Sequence, residues 1–187
     1  MIESPPKTSQ NRIYLIGMMG SGKSTIARML AKQLDWTWID TDACVERNAN
    51  LTVADIFAQS GEDAFRKREW ECVQQAAGHK NVVVSCGGGA PCYYDAINVL
   101  LTTGVVIYLR ASTDSLVSRL EKTDQSRPLL FQTDLPLREQ IDRLLAQREE
   151  VYKRAHIIID TDAKTEEDLL RELLSLVGSI SDMTLQR

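Results

Sequence analysis

The sequence contains only two histidines, His79 and His156, and its four cysteines, Cys44, Cys72, Cys86 and Cys92, form no Cys-x-x-Cys pair. No zinc-ligand spacing can be assembled from that set. The thiols are expected to stay reduced and to pack as small hydrophobes, which suits a cytoplasmic protein. No apolar run approaches the ~18 residues that a membrane span requires, so no membrane association is expected. Basic residues are not in excess either: 22 Lys and Arg face 26 Asp and Glu, a net charge of −4. That sign is wrong for a chain that neutralises phosphate backbones, and no nucleic-acid partner is expected. Residues 1–11 are mostly polar and include Pro5 and Pro6. They carry neither the apolar core of a secretion signal nor the Arg-rich pattern of a transit peptide, and read as a disordered tail. Residues 179–187 read as a second tail.

What remains has an ordinary globular composition, with 187 residues, 43% hydrophobic and 26% charged. A single domain over 12–178 is expected, large enough to bury about 70% of its unfolded surface without disulfide or metal staples. A monomer is the expected state. Five short apolar runs, at 12–17, 36–40, 81–85, 104–109 and 157–160, are rich in Val, Ile and Leu without polar alternation. Such runs are strands covered on both faces. Helical patterns separate them at 23–34, 52–78 (punctuated at Ser60 and Gly61), 94–101, 113–121, 135–154 and 166–177. The order predicts an α/β domain of three layers around a parallel sheet.

The segment Gly17-Met18-Met19-Gly20-Ser21-Gly22-Lys23-Ser24-Thr25 satisfies G-x-x-x-x-G-K-[ST] between a predicted strand and a predicted helix. Glycines at such a turn let successive backbone N–H groups face a polyphosphate, and the helix N-terminus adds its dipole. Gly20, Ser21, Gly22, Lys23, Ser24 and Thr25 are therefore the expected cradle of a nucleoside triphosphate. Lys23 reaches the β- and γ-phosphates and the Ser24 hydroxyl is a Mg2+ ligand.

Asp40 and Asp42 follow the second strand two residues apart. An extended segment would put both carboxylates on one side, at the sheet edge where ligands bind. They either divide the work between the magnesium waters and an acceptor hydroxyl, or cap a solvated turn. Ser85 stands where many phosphate-loop enzymes carry a magnesium-associated aspartate, which makes Asp40, acting through water, the better carboxylate for the metal. On the helix over 52–78, Glu69 falls on the stripe of Phe65, Cys72, Val73 and Ala76. A carboxylate there needs a partner, and Arg66 is three residues back. The pair serves either structure or a ligand. Arg148 shares a stripe with Leu137, Ile141, Leu144 and Val151. An inward guanidinium is either paired internally or awaits an anion, whereas Arg143 and Arg154 fall off the stripe. Gly87, Gly88 and Gly89 end the third strand, as a loose connection or because something approaches the backbone closely. Residues 122–136 make a long polar connection with two prolines, either a lid that carries Arg127 over the γ-phosphate or an idle mobile loop.

Together these motifs resemble the shikimate kinase family. Asp40-Thr41-Asp42 matches its D-x-D, and Gly61 to Glu69 matches its G-E-x-x-F-R-x-x-E. The glycine triplet, Arg127-Pro128-Leu129-Leu130 in the lid, and Arg148 with Tyr152 complete the set, and the likeness runs over 12–177. The resemblance implies a P-loop fold of the nucleoside-monophosphate-kinase type, with strand order 2-3-1-4-5, a mobile lid and a substrate-binding helical region over 43–78. It implies transfer of the γ-phosphoryl of ATP to the 3-hydroxyl of shikimate, on the route to chorismate and the aromatic amino acids. Asp42 would bind the shikimate hydroxyls and serve as base. Arg66, held by Glu69, and Arg148 would grip the carboxylate beside Gly87, Gly88 and Gly89. Lys23 and Arg127 would stabilise the transferring group, and Arg119 would flank the adenine. The loop 161–165 lacks the arginine and proline that some members place there, which leaves Lys164 as a weak counterpart. Two rivals stay open: a kinase of gluconate or a nucleoside monophosphate, and a nucleotide sensor without catalysis.

Overall fold

A computed structural model describes residues 11–122 and 135–185 of the chain. Its centre is strand β1 (Arg12–Ile16), in which all five residues are buried. The other strands are β2 (Thr37–Asp40), β3 (Val82–Ser85), β4 (Val105–Arg110) and β5 (Ile157–Asp160), and the sheet order is β2-β3-β1-β4-β5. Every pairing is parallel. Burial on both faces explains why the central strands show no polar alternation. Ile13 and Leu15 face one layer with Val83, Ile107 and Leu109, against Ile26 and Leu30 of α1 (Lys23–Leu34) and Leu169 and Leu173 of α7 (Glu166–Leu185). Tyr14 and Ile16 face the other layer with Val84 and Tyr108. That layer is closed by α3 (Val53–Ala77), α4 (Ala96–Thr103), α5 (Thr113–Glu121) and α6 (Leu137–Tyr152) through Val73, Leu100, Leu116 and Ile141.

One element departs from expectation. The chain does not run on extended from Asp40 to Asp42; it turns into a helix, α2 (Thr41–Ala49). Asp40 is its N-cap, its carboxylate accepting from the backbone N–H groups of Asp42 and Ala43. A capping aspartate satisfies donors that a helix start leaves open, and that local bond overrides the extended reading. Asp42 therefore projects from the first helical turn. The third core, Cys44, Val45, Ile56, Phe57, Phe65 and Cys72, ties α2 to α3.

The punctuation expected at Ser60 and Gly61 is present. Gly61 has φ 77° and ψ 179°, so α3 is two helices meeting at a kink. Thr52 and Asp55 close a capping box at its start. After the glycine triplet a 3-10 turn, Ala90–Cys92, delays α4 to Ala96. The last helix continues past 177 to Leu185. Residues 123–134, and with them the expected lid arginine Arg127, lie outside the described residues. Among the described residues no helix is long and apolar enough to cross a membrane.

Candidate active site

A cavity of about 540 Å³ opens at the carboxyl ends of β1, β2 and β3. The crossover connections of a doubly wound sheet leave their crevice at this edge. Its residues come from the loop after β1, the β2–α2 turn with α3, and the triplet after β3, joined by Arg119 of α5, Arg148 of α6 and Glu166 of α7.

The loop after β1 wraps the N-terminus of α1. Gly22 caps it with φ 92°, a left-handed conformation that a side chain would strain, and α1 begins at Lys23. The Lys23 ammonium is buried and donates to the Met18 carbonyl at 2.8 Å. Gly20, Gly22, Lys23, Ser24 and Thr25 line the cavity. Ser21 does not: its side chain turns inward, 1% exposed, and its N–H donates to the Met18 carbonyl. Arg119, on α5, also lines the cavity; its guanidinium donates to the Gly20 carbonyl and to Thr161.

Asp40 gathers four donors. Its Oδ2 accepts from the hydroxyls of Ser24 and Ser85, each at 2.7 Å, and its Oδ1 from the N–H groups of Asp42 and Ala43 at 3.0 and 3.2 Å. A Ser24 hydroxyl that donates to Asp40 turns its lone pairs outward, as a ligand to a hard cation needs. The donor set is all oxygen, which fits magnesium. Asp42 points to the other side of the cavity, toward the glycine triplet.

That triplet is where the charges meet. A Cβ on Gly87 would lie 2.4 Å from both Asp42 Oδ1 and Glu69 Oε1, and one on Gly89 would lie 2.3 Å from Arg66 Nη1. A Cβ on Gly88 would sit 3.4 Å from Arg148 Nη1. Gly87 and Gly89 are thus required by the close approach of Asp42, Glu69 and Arg66, whereas Gly88 is in ordinary contact with Arg148. Gly87 N–H is tied to Thr41 Oγ1 at 2.7 Å, and the Gly88 carbonyl accepts from the buried Tyr152 hydroxyl at 2.5 Å.

Arg66 is 3% exposed. Its Nη1 donates to Glu69 Oε2 at 2.7 Å, and its Nε and Nη2 to Glu62 Oε1 at 3.1 and 2.9 Å. Its guanidinium lies 4.4 Å above the Tyr93 ring, whose hydroxyl donates to the same Glu62 oxygen. Burial lowers the Arg66 pKa, but Glu69 and Glu62 outweigh it and the net shift is upward. Burial pushes Glu69 up to about 7, against the lowering pull of Arg66 and with help from Asp42. Glu69 Oε1 and Arg148 Nη1 are buried with no hydrogen-bond partner among the described residues. Val53, Phe57 and Phe65 add apolar surface to the lining. Cys86, on the floor, is buried and its pKa is raised by burial, so it stays a neutral thiol.

Asp40, Asp42, Arg66, Arg148, Gly87, Gly88 and Gly89 are therefore brought together around one cavity with the phosphate loop. Lys164 is not part of it: it pairs with Glu172 at 2.6 Å. Val53 and Phe57, which line the cavity, and Tyr93, stacked on Arg66, are residues that sequence reading passed over, and Glu62 stood in the motif without an assigned role. Glu62 was detectable, four residues before Arg66 on one helix, and so was the Val53 and Phe57 spacing. Tyr93 follows a 3-10 turn and had no periodic signal.

A five-stranded parallel sheet in this order, with a phosphate loop after its central strand, defines a P-loop kinase of the nucleoside-monophosphate-kinase type. A gluconokinase from Sinorhizobium meliloti shares this fold at TM-score 0.62 and 17% identity, covering 96% of this chain and 98% of its own. The family model "Shikimate kinase" matches residues 19–177. A shikimate kinase from a Sulfurihydrogenibium species is 38% identical over 88% of this chain and 96% of its own length. A structure of shikimate kinase from Acinetobacter baumannii in complex with shikimate superposes at TM-score 0.85 with 33% identity, covering 91% of this chain and 94% of that one. The chain belongs to the shikimate kinase family.

Proposed function

We propose that this chain transfers the γ-phosphoryl of ATP to the 3-hydroxyl of shikimate, giving shikimate 3-phosphate and ADP. The observation that carries the reading is Arg148, 4% exposed, whose buried Nη1 has no hydrogen-bond partner among the described residues although it faces the phosphate-loop cavity. A buried guanidinium nitrogen left without a hydrogen-bond partner is costly, and a small anionic acceptor removes that cost. Arg66 lies beside the same triplet, so the two guanidiniums can hold one carboxylate. The apolar surface of Val53, Phe57 and Phe65 suits a cyclic carbon skeleton.

The acceptor's carboxylate fixes it between Arg66 and Arg148, with Gly87, Gly88 and Gly89 close to it. Its hydroxyls turn toward Asp42. The 3-hydroxyl oxygen forms a bond to the γ-phosphorus, the bond from that phosphorus to the β,γ-bridging oxygen breaks, and the hydroxyl proton passes to Asp42. Lys23 leaves the Met18 carbonyl to meet the developing charge on the phosphates. The N–H groups of the loop Gly20 to Thr25 hold the polyphosphate, and Arg119 stands at the adenine side. Ser24, with Asp40 acting through water, would hold Mg2+, which supplies charge neutralisation on the β- and γ-oxygens. Arg127, outside the described residues, would complete the charge stabilisation on the transferring group. We place the chain as a cytoplasmic monomer acting on these small molecules, with a single catalytic domain that starts at residue 12 and is closed by α7.

The test is ADP release from Mg-ATP with shikimate, with gluconate and with no acceptor. Stimulation by shikimate alone is expected. Equal stimulation by gluconate, or none by shikimate, overturns the assignment.

A further inference from the structure

Asp40 is held on the side of the phosphate loop by Ser24 and on the side of the sheet by Ser85. The Ser85 hydroxyl has a second neighbour. Trp38, 38% exposed on the edge strand β2, brings its indole Nε1 to 3.0 Å from Ser85 Oγ. The parallel register explains the meeting: Asp40 pairs with Ser85 and Trp38 with Val83, so Trp38 and Asp40 lie on one face of β2, two residues apart, with Asp40 beside Ser85 and Trp38 on its diagonal.

An indole N–H only donates, whereas a hydroxyl donates once and accepts. Ser85 must therefore accept from Trp38, and its own proton is left for Asp40. The chain of bonds has one polarity, from Trp38 through Ser85 to Asp40 Oδ2. Without the indole, Ser85 still has its proton for Asp40, but its oxygen loses the donor that fixes its place and polarises its O–H. The bond to Asp40 then weakens, and the carboxylate is held less firmly in the orientation in which it receives the Ser24 hydroxyl.

We infer that Trp38 is a positioning residue for the metal–nucleotide site: its indole N–H fixes and polarises the Ser85 hydroxyl and so holds Asp40 against Ser24. The inference rests on the proposed reading of Ser24 and Asp40 as the pair that serves the metal. Trp38 touches neither nucleotide nor acceptor in this account. Its contribution passes entirely through Ser85, and that is what distinguishes it from general support of an edge strand.

The experiment measures binding of Mn2+ in the presence of ADP by the electron paramagnetic resonance of free Mn2+, in the full chain. Wild type, Trp38→Phe, Ser85→Ala and the double variant are compared, with metal-free ADP affinity measured alongside. Trp38→Phe keeps an aromatic ring at a half-exposed site and removes the donor. It is expected to weaken Mn2+–ADP binding about 3–10-fold, the range of one neutral hydrogen bond. Metal-free ADP affinity should stay at the wild-type value in every variant. The double variant should bind no more weakly than Ser85→Ala, because the indole acts only through that hydroxyl. Unchanged Mn2+–ADP affinity in Trp38→Phe, or additive losses in the double variant, overturns the inference alone. Wild-type protein whose ADP binding does not depend on the metal overturns the metal-pair reading and the inference with it. Were Trp38→Phe not to fold, Ser85→Ala, expected to lose metal-dependent binding selectively, still decides: a variant with wild-type Mn2+–ADP affinity would end the case for the chain of bonds.

Discussion

Gly89→Ala isolates the acceptor clamp from the rest of the protein. Gly89 has φ −87° and ψ −21°, a right-handed conformation that alanine adopts without strain, so the backbone has no reason to move. The added Cβ would stand 2.3 Å from Arg66 Nη1, 2.5 Å from Cζ and 2.7 Å from Nη2, where ordinary contact begins at 3.4 Å. The guanidinium must retreat by about 1 Å, and a displacement of that size at a positioning group costs up to about 10²-fold in rate. Arg66 has little room to give, being bound to Glu69 and Glu62 and stacked on Tyr93. Steady-state kinetics with shikimate varied at saturating Mg-ATP should show kcat/KM for shikimate reduced by about 30–100-fold, a loss the same misplacement argument supports. The dissociation constant of Mg-ADP, read by calorimetry, should not change, because the phosphate loop is untouched. A Gly89→Ala protein with wild-type kcat/KM for shikimate would refute the placement of Arg66 in the acceptor site.

Arg148→Met removes a buried charge and keeps the volume; the KM for shikimate should rise roughly 10–100-fold, the worth of a hydrogen bond to a charged group, while Mg-ATP affinity is retained. Because the lost cation has an unpartnered buried nitrogen, the acceptor-free variant should melt no lower than wild type; an unchanged KM contradicts the clamp. Glu69 is raised from 4.5 to about 7, so the folded state binds its proton more tightly than the unfolded chain. The contribution to stability is therefore full below pH 4.5 and is lost as pH rises to about 7. Urea melts at several pH values should show the stability of wild type relative to Glu69→Gln falling across that window; a difference that does not vary with pH refutes the shift. Tyr93→Leu removes the ring beneath Arg66 and the bond to Glu62, and should raise the shikimate KM about 2–5-fold, with Tyr93→Phe nearer wild type; equal KM values in all three proteins would remove Tyr93 from the site.

Much of this arrangement was legible in the chain because it depends on periodicity. Five unalternated apolar runs separated by helical patterns lead to a parallel sheet, and the strand–glycine loop–helix succession alone places Lys23 and Ser24 at its edge. Arg66 with Glu69, and Arg148 among core residues, stood out because helix geometry puts them on apolar stripes. The strand order itself came from family likeness. Where the reading failed, a local bond or a tertiary approach decided. Asp40 spends its carboxylate on capping α2, which turns Asp42 out of the extended line that its spacing suggests. The glycine triplet left two explanations open, since the side chains that need the space come from α2 and α3. Trp38 and Tyr93 carried no signal at all. An aromatic residue on an edge strand or after a short turn shows its role only when a serine or a guanidinium is folded against it.

The central claim is that two arginines beside the glycine triplet recognise the acceptor by its carboxylate. Its most direct test is phosphorylation of shikimate and of its carboxamide, side by side, by wild type and by Arg148→Met. The account predicts that wild type loses at least about 10-fold in kcat/KM on the neutral carboxamide, as expected when hydrogen bonds to a charged group are lost, and that most of this discrimination disappears in Arg148→Met. Equal turnover of acid and amide by wild type would contradict it.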